Sequence, residues 1–83
     1  MQKLDIGAVY KHYKGTKVKV LAEGFHSETL EPVVIYLHLE DGIVWVRSKK
    51  MFLEKVRLDN RKILRFEKVK SIIKIKPKIK KAK

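Results

Sequence analysis

The most polar cluster in this 83-residue chain is His26-Ser27-Glu28-Thr29, between two apolar, strand-like segments. Binding residues concentrate in loops that a rigid scaffold holds in place. Downstream, Arg47 follows Trp45 by two residues, and an arginine near a tryptophan and hydroxyl groups suits a carboxylate or a phosphate. The sequence therefore predicts a small-anion pocket across the mouth of the domain, made by His26, Ser27, Glu28, Thr29, Tyr36, Trp45 and Arg47.

A purely structural role accounts for the same loop without a ligand. Hydroxyl groups such as those of Ser27 and Thr29 commonly satisfy nearby backbone groups in loops. The ion pairs that this interpretation expects join Glu28 or Glu31 to Arg47 or Arg65. We favour the structural interpretation and keep both open.

Patterns typical of catalysis or metal binding are missing from the sequence. Neighbouring residues of an extended chain point to opposite sides, so His26 cannot activate Ser27 directly, and there is no Gly-x-Ser-x-Gly elbow. The histidines at 12, 26 and 38 have no metal-ligand spacing, and there is no cysteine. We predict a protein that is not an enzyme and has no catalytic residue, cofactor or metal.

The charge distribution points to an anionic partner. The formal net charge is +12; residues 68–83 hold eight basic residues and no acid, so residues 1–67 carry only +4. Such a surface attracts nucleic acid or another polyanion. The predicted polyanion-binding residues are Lys17, Lys19, Lys74, Lys76, Lys78, Lys80 and Lys81. An AT-rich genome or a thermophilic source would account for the lysine content equally well.

Apolar and polar residues alternate with a period of two along most of the chain, which predicts strands. The predicted strands cover residues 9–13, 17–22, 33–40, 43–47, 56–58 and 63–69. Asp41-Gly42 is the strongest hairpin signal, and Asp59-Asn60 marks a second turn. Met51 to Leu53 predict a single helical turn at one end of the domain. Five or six short antiparallel strands predict a small barrel, because closure removes exposed edges.

The aromatic residues have two interpretations, as core or as a surface on which nucleic-acid bases stack. A chain of this size needs most of them inside. We therefore predict a core role for most, with Tyr13 and Trp45 as the exceptions. The residues concerned are Tyr10, Tyr13, Phe25, Tyr36, Trp45, Phe52 and Phe66.

The C-terminal segment has a strand pattern of its own. Ile73, Ile75 and Ile79 alternate with lysines, and Pro77 restricts such a strand to an edge or an end. The segment is either a disordered polycation or an added edge strand, on this chain or on a second copy of it. We predict a domain over residues 1–67 and a tail over residues 68–83, with a homo-oligomer through the tail as one outcome.

Residues 1–15 have no apolar signal-peptide core, and no segment is long enough to span a bilayer. We therefore expect a cytoplasmic protein without a membrane partner.

Several short blocks follow one another along the chain in a recognisable order and spacing. They are Tyr10-x-His12-Tyr13-Lys14-Gly15, Val20-Leu21, His26-Ser27-Glu28-Thr29-Leu30-Glu31, Val33-Val34-x-Tyr36, Trp45-Val46-Arg47, Met51-Phe52 and Arg65-Phe66. Together they resemble one small bacterial family, the domain of unknown function numbered sixteen fifty-three, from about Gly7 to Glu67. The resemblance implies an SH3-like β-barrel and no established activity.

Taken together, these observations predict an all-β domain with a C-terminal extension that acts as a basic binding module. The leading hypothesis is polyanion or nucleic-acid binding through the tail. The alternatives are self-assembly by strand addition and a small-anion pocket at the His26–Thr29 loop with Arg47.

Overall fold

The computed structural model describes residues 3–69, which form seven strands and one short helix. The elements are β1 (Val9–His12), β2 (Lys17–Phe25), β3 (Pro32–His38), β4 (Val44–Ser48), α1 (Lys49–Leu53), β5 (Lys55–Leu58), β6 (Arg61–Leu64) and β7 (Phe66–Lys68). Strands β4-β3-β2-β1-β7 form a five-stranded sheet in that order, and β5-β6 form a separate hairpin. Every pairing is antiparallel. The all-β class is confirmed.

One face of the five-stranded sheet carries the core, as the alternation predicts. Val18 and Val20 of β2 are buried. Lys17, which precedes them, and Lys19, which lies between them, are exposed. A β-bulge between Val20 and Ala22 then shifts the register, which bends and twists the strand. Within residues 3–69 the buried apolar side chains are Tyr10, Val18, Val20, Val34, Tyr36, Phe52 and Phe66.

Helix α1 covers this buried face. The Ser48 hydroxyl accepts a hydrogen bond from the Met51 backbone N–H at 3.0 Å, which caps the helix N-terminus. The five-residue helix delivers Phe52 into the core, where its side chain is completely buried. The predicted helical turn is therefore present, and it serves to bring one aromatic side chain into the core.

Three differences from the sequence predictions have physical causes. The strand order has two ends, β4 and β7, so the described sheet is not closed into a barrel by hydrogen bonds; α1 covers the apolar face instead. The predicted strand 63–69 is divided at Arg65, whose backbone bonds to Glu54 and Tyr13 carry the chain from one sheet to the other. Phe25 is 71% exposed rather than in the core, because it lies at the end of β2.

The predicted turns are present. Asp59 and Asn60 both have positive φ, 50° and 65°, as a two-residue type I′ hairpin turn requires. Gly42 has φ 73° in the Asp41-Gly42 turn between β3 and β4. Residues 70–83 of the predicted tail 68–83 lie outside the described residues, whereas Lys68 ends β7. No helix within residues 3–69 is long and apolar enough to cross a membrane.

Candidate anion-binding site

Arg47 of β4 lies on the same face of the sheet as the core. Its side chain is half-buried, and its Nε donates a hydrogen bond to the Tyr36 hydroxyl at 3.3 Å. The guanidinium carbon lies 5.8 Å from the ring centroid of Phe66. These two contacts hold the planar group at the open end of the core.

No carboxylate neutralises Arg47 within the described part of the chain. The ion pairs found in residues 3–69 are Lys49–Glu23, Arg65–Glu54 and Lys68–Asp5. The expectation that Glu28 or Glu31 pairs with Arg47 or Arg65 is therefore wrong, because Glu54 takes the Arg65 partnership at 2.6 Å. Arg47 is left with a positive charge and with terminal nitrogens that donate no hydrogen bond within this part of the chain.

Aromatic rings form the floor beneath Arg47. Phe66 stacks on Phe52 with centroids 4.1 Å apart and planes 6° apart. Tyr36 packs against the edge of Phe66 at 5.7 Å. The floor is therefore fixed by core packing, so the guanidinium above it is positioned before any ligand arrives.

A cavity of about 180 Å³ opens beside these groups. Its lining combines cationic, hydroxyl, imidazole and aromatic groups and includes no acidic residue. The lining residues are His12, Lys14, Thr16, Val18, Tyr36, His38, Arg47 and Phe66. A half-buried site with uncompensated positive charge attracts an anion more strongly than an exposed lysine does, because water screens it less.

His12 contributes its imidazole ring to the lining of this cavity. Its Nδ1 accepts a hydrogen bond from the Lys14 backbone N–H at 3.1 Å, so the neutral ring carries its proton on Nε2. The ring stacks on Tyr13 at 4.6 Å and meets Phe66 edge-on at 4.9 Å. Burial lowers the pKa of His12, and electrostatic interactions with Arg47, Arg65, Lys14 and His38 lower it further.

His38 lines the cavity, and Trp45, which is not in the lining, packs beside His38; we call these two residues the rim. Their rings lie 5.5 Å apart and are tilted by 35°. Trp45 is directly opposite Tyr36 in the β3–β4 pairing and remains 47% exposed. The prediction that Trp45 lies outside the core is confirmed, and its exposed ring stands beside the charged site.

The structure does not bring the His26–Thr29 loop to this cavity. The loop connects β2 and β3 at the Phe25–Pro32 end, whereas Tyr36, which pairs with Val20, lies four residues further along β3, about 13 Å away along an extended strand. Tyr36 and Arg47 therefore meet, Trp45 stands near them, and the four loop residues lie apart. The expectation of a single pocket with all seven residues is wrong. The loop lies at the end of the β2–β3 hairpin, whereas Tyr36 lies in the middle of β3.

The loop's own hydrogen bonds fit the structural interpretation. His26 Nδ1 accepts from the backbone N–H groups of Glu28 and Thr29 at 3.1 and 3.3 Å. Thr29 Oγ1 accepts from the Glu31 N–H at 3.2 Å. These contacts hold the turn closed. Leu30, in the same turn, has a positive φ of 63°.

Lys17 and Lys19 lie on the outer face of the sheet, opposite the core, and are exposed. Lys11 of β1 pairs directly with Lys17, so strand pairing adds a third lysine to this face. We call Lys11, Lys17 and Lys19 the outer lysine patch. The remaining predicted polyanion residues, Lys74, Lys76, Lys78, Lys80 and Lys81, lie outside the described residues.

Sequence reasoning missed six cavity residues, namely His12, Lys14, Thr16, Val18, His38 and Phe66. A signal for His12 exists: it follows Tyr10 by two residues in a strand, so it lies on the core face. The contributions of Lys14 and Thr16 depend on the turn at Gly15, which has φ 110° and returns the chain to β2. Across residues 3–69 no cluster of three or more metal-ligating side chains is present.

Comparison with known proteins places the chain in a family. The family described as "Protein of unknown function (DUF1653)" matches residues 8–68. The chain belongs to the DUF1653 family. The crystal structure of a DUF1653 protein from Bordetella bronchiseptica is similar, with 33% identity and a TM-score of 0.71; the similarity covers 83% of this chain and 91% of that one. No curated protein matches the chain.

The resemblance noted in the sequence is therefore confirmed at the level of the family. The matched range contains every described residue of the cavity, from His12 to Phe66. The DUF1653 description states no function, so a function for this member rests on its own geometry.

Proposed function

We propose that this DUF1653 protein is a binding module that takes a small anionic group, a carboxylate or a phosphate, in the cavity beside Arg47. The observation that carries the proposal is the environment of the Arg47 side chain. This side chain is half-buried, fixed by Tyr36 and Phe66, and without a carboxylate partner in residues 3–69.

The chemistry of guanidinium supports an oxyanion. Its planar fork donates two parallel hydrogen bonds to a carboxylate or phosphate, and such charge-assisted bonds are about twice as strong as neutral ones. Nε is already engaged by Tyr36, so the terminal nitrogens remain for a ligand. Lys14, Thr16 and the Nε2–H of His12 supply further donors around the same space.

The size of the cavity limits the ligand. About 180 Å³ is below the range of roughly 300–1,000 Å³ typical of pockets for drug-sized molecules. We infer that the cavity holds the anionic head of a ligand and that the remainder lies outside, against the Trp45 and His38 rim. A planar or apolar remainder suits that rim.

Binding fits the arrangement better than catalysis does. The hydrogen bonds between side chains in residues 3–69 join Arg47 to Tyr36, Arg65 to Glu54, and Lys68 to Asp5. None of these pairs a hydroxyl nucleophile with a histidine or carboxylate base, which is the arrangement nucleophilic catalysis requires. We therefore propose that the protein binds rather than converts its ligand.

The test uses the fluorescence of Trp45, which is the single tryptophan of the chain. Titration with inorganic phosphate and with benzoate should change this fluorescence and saturate. Arg47→Ala should abolish the saturating change, whereas the matched control Arg57→Ala, on the exposed hairpin, should retain it. Equal titrations of the two variants would overturn the proposal.

A second candidate function is polyanion binding, and the outer lysine patch favours it. Lys11, Lys17 and Lys19 are exposed on adjacent strands, so they present charge on the face away from the cavity. We propose that this patch and the lysine-rich residues 68–83 contact the same polyanion. If about five phosphates are neutralised, log affinity should fall against log salt with a slope of about −4.5.

The two functions separate experimentally. Lys17→Ala/Lys19→Ala should weaken duplex DNA binding and reduce the salt slope by about 2. The same double variant should leave the phosphate titration of Trp45 unchanged. A salt slope near zero in the parent protein would exclude the polyanion function.

A further inference from the structure

The two edges of the five-stranded sheet differ in how they are protected. Edge strand β7 has three residues, of which Glu67 and Lys68 are charged and exposed. Edge strand β4 is longer and begins Val44-Trp45-Val46, with Val44 53% and Val46 61% exposed. Natural sheets protect their edges with charge, proline, bulges or short strands. The first three residues of β4 have none of these devices.

The backbone groups of β4 that have no strand partner within residues 3–69 can be assigned from its pairing with β3. His38 donates its N–H to the Ile43 carbonyl, and hydrogen-bonded pairs alternate along an antiparallel ladder. Trp45 and Arg47 therefore direct their backbone groups to β3. Val44, Val46 and Ser48 direct theirs outward, away from the sheet.

Charges flank this apolar segment with opposite signs. The exposed acidic turn Glu40-Asp41 comes before it, and Lys49 and Lys50 follow it. Lys49 is engaged by Glu23, and Lys50 is exposed. When two such strands run antiparallel, the acidic turn of each lies towards the lysines of the other.

We propose that β4 is a self-association edge, on which β4 of a second copy of this chain pairs in antiparallel orientation about a twofold axis. With Val44 opposite the second copy's Val46, the outward backbone groups face one another and Trp45 lies opposite its own counterpart. The same register brings Glu40 towards the second copy's Lys50. Helix α1, which follows β4 directly, buries its Phe52 in the core.

A symmetric strand addition fits the general rule that soluble oligomers are closed and isologous. The inference is independent of the anion site, since it depends on the backbone of β4 and on Val44, Val46, Glu40 and Lys50. It has a consequence for the cavity: the Trp45 rims of two copies would adjoin.

The first test is sedimentation velocity of the full chain across a wide range of concentration. The parent protein should show a monomer–dimer equilibrium. Val46→Lys should weaken it by more than about tenfold, whereas Leu58→Lys, which places a lysine at an exposed apolar position of β5, should not. A parent protein that stays monomeric, or equal dimerisation of the two variants, would overturn the proposal.

The register has its own tests. The chain has no cysteine, so Trp45→Cys should form an inter-chain disulfide on mild oxidation, since opposed strand residues have suitable geometry. The control Leu58→Cys should cross-link far more slowly. Glu40→Lys and Lys50→Glu should each weaken dimers, and an equimolar mixture of the two should restore them. Equal cross-linking, or no restoration on mixing, would contradict this pairing.

Discussion

Phe52 and Phe66 stack face to face, with ring centroids 4.1 Å apart and planes inclined by 6°. Phe52 comes from the helix and Phe66 from the last described strand, so the pair joins α1 to β7 through the core. The Arg47 guanidinium lies on the same Phe66 ring, 5.8 Å from its centroid. Core packing and the charged cavity therefore share one ring, and a change in one is transmitted to the other.

Removal of Phe52 should damage both the fold and the cavity floor. Phe52→Ala is expected to reduce the free energy of unfolding by about 3–5 kcal/mol, because a fully buried ring leaves a void. Phe25→Ala, which removes an exposed ring, should change it by less than about 0.5 kcal/mol. Urea unfolding followed by circular dichroism measures both. Similar losses would show that α1 does not stabilise the core.

The Tyr36 hydroxyl should orient Arg47. Tyr36→Phe keeps the buried ring and removes the acceptor of the Arg47 Nε–H. We expect a loss of stability of about 1 kcal/mol and a weaker phosphate titration of Trp45, since the guanidinium loses its fixed position. Tyr13→Phe removes a hydroxyl outside the lining of the cavity and should leave the titration unchanged. A Tyr36→Phe protein with parental phosphate affinity would contradict the orienting role.

Stability should depend on pH through His12. Its pKa in the folded protein is lowered from the usual 6.5, first by burial and then by Arg47. The unfolded chain therefore binds the proton more readily, so this contribution to stability is present above pH 6.5 and is lost as pH falls through the lowered pKa. Urea unfolding between pH 5 and 8 should show a smaller loss for His12→Gln than for the parent. If the free energy of unfolding falls with pH by the same amount in both proteins, His12 is not the cause.

The same histidine should couple ligand binding to protons. A bound anion offsets the positive charges that surround His12, so its pKa should rise on binding and the anion affinity should increase as pH falls. Isothermal titration with phosphate in two buffers of different ionisation enthalpy measures the proton uptake. His12→Gln should reduce that uptake, with His26→Gln, in the distant loop, as the matched control.

Leu30 should be a site where glycine stabilises the protein. Its φ of 63° lies in the left-handed region, which costs a leucine about 1–2 kcal/mol, and its side chain is 69% exposed. Leu30→Gly removes this strain, offset in part by the greater freedom of glycine in the unfolded chain. We expect a net gain below about 1 kcal/mol. Leu39→Gly, at an exposed leucine without positive φ, should destabilise; a loss at both positions would refute the strain argument.

The sequence predicts local features well because they depend on neighbouring residues. Alternation identified the buried face of β2, and turn chemistry identified Asp41-Gly42 and Asp59-Asn60. The division of the last strand at Arg65 was not predictable, since it depends on backbone bonds to Glu54 and Tyr13 elsewhere in the chain. The choice between a closed barrel and an open sheet covered by α1 also depends on tertiary packing, which alternation does not report.

The candidate site was predictable only in part, for the same reason. Arg47, Tyr36 and Trp45 were identified from residue type, and they lie near one another because β3 and β4 pair directly. The error was to include the His26–Thr29 loop, whose polar side chains form hydrogen bonds with the backbone of the same loop. His12 and Phe66 come from strands at the opposite side of the sheet, and only the β1–β7 pairing brings them together.

Arg65 joins the two sheets by its backbone at both sides and by its side chain to Glu54. The β5–β6 hairpin, which comes just before Arg65 in the chain, is mostly exposed and contributes no residue to the cavity or to β4. Its tip at Asp59-Asn60 is therefore a suitable place to insert a fluorophore, an affinity tag or a second domain. A reporter fused there would test the proposed anion binding and the proposed self-association without altering either surface, and either result would show whether this small domain can serve as a sensor scaffold.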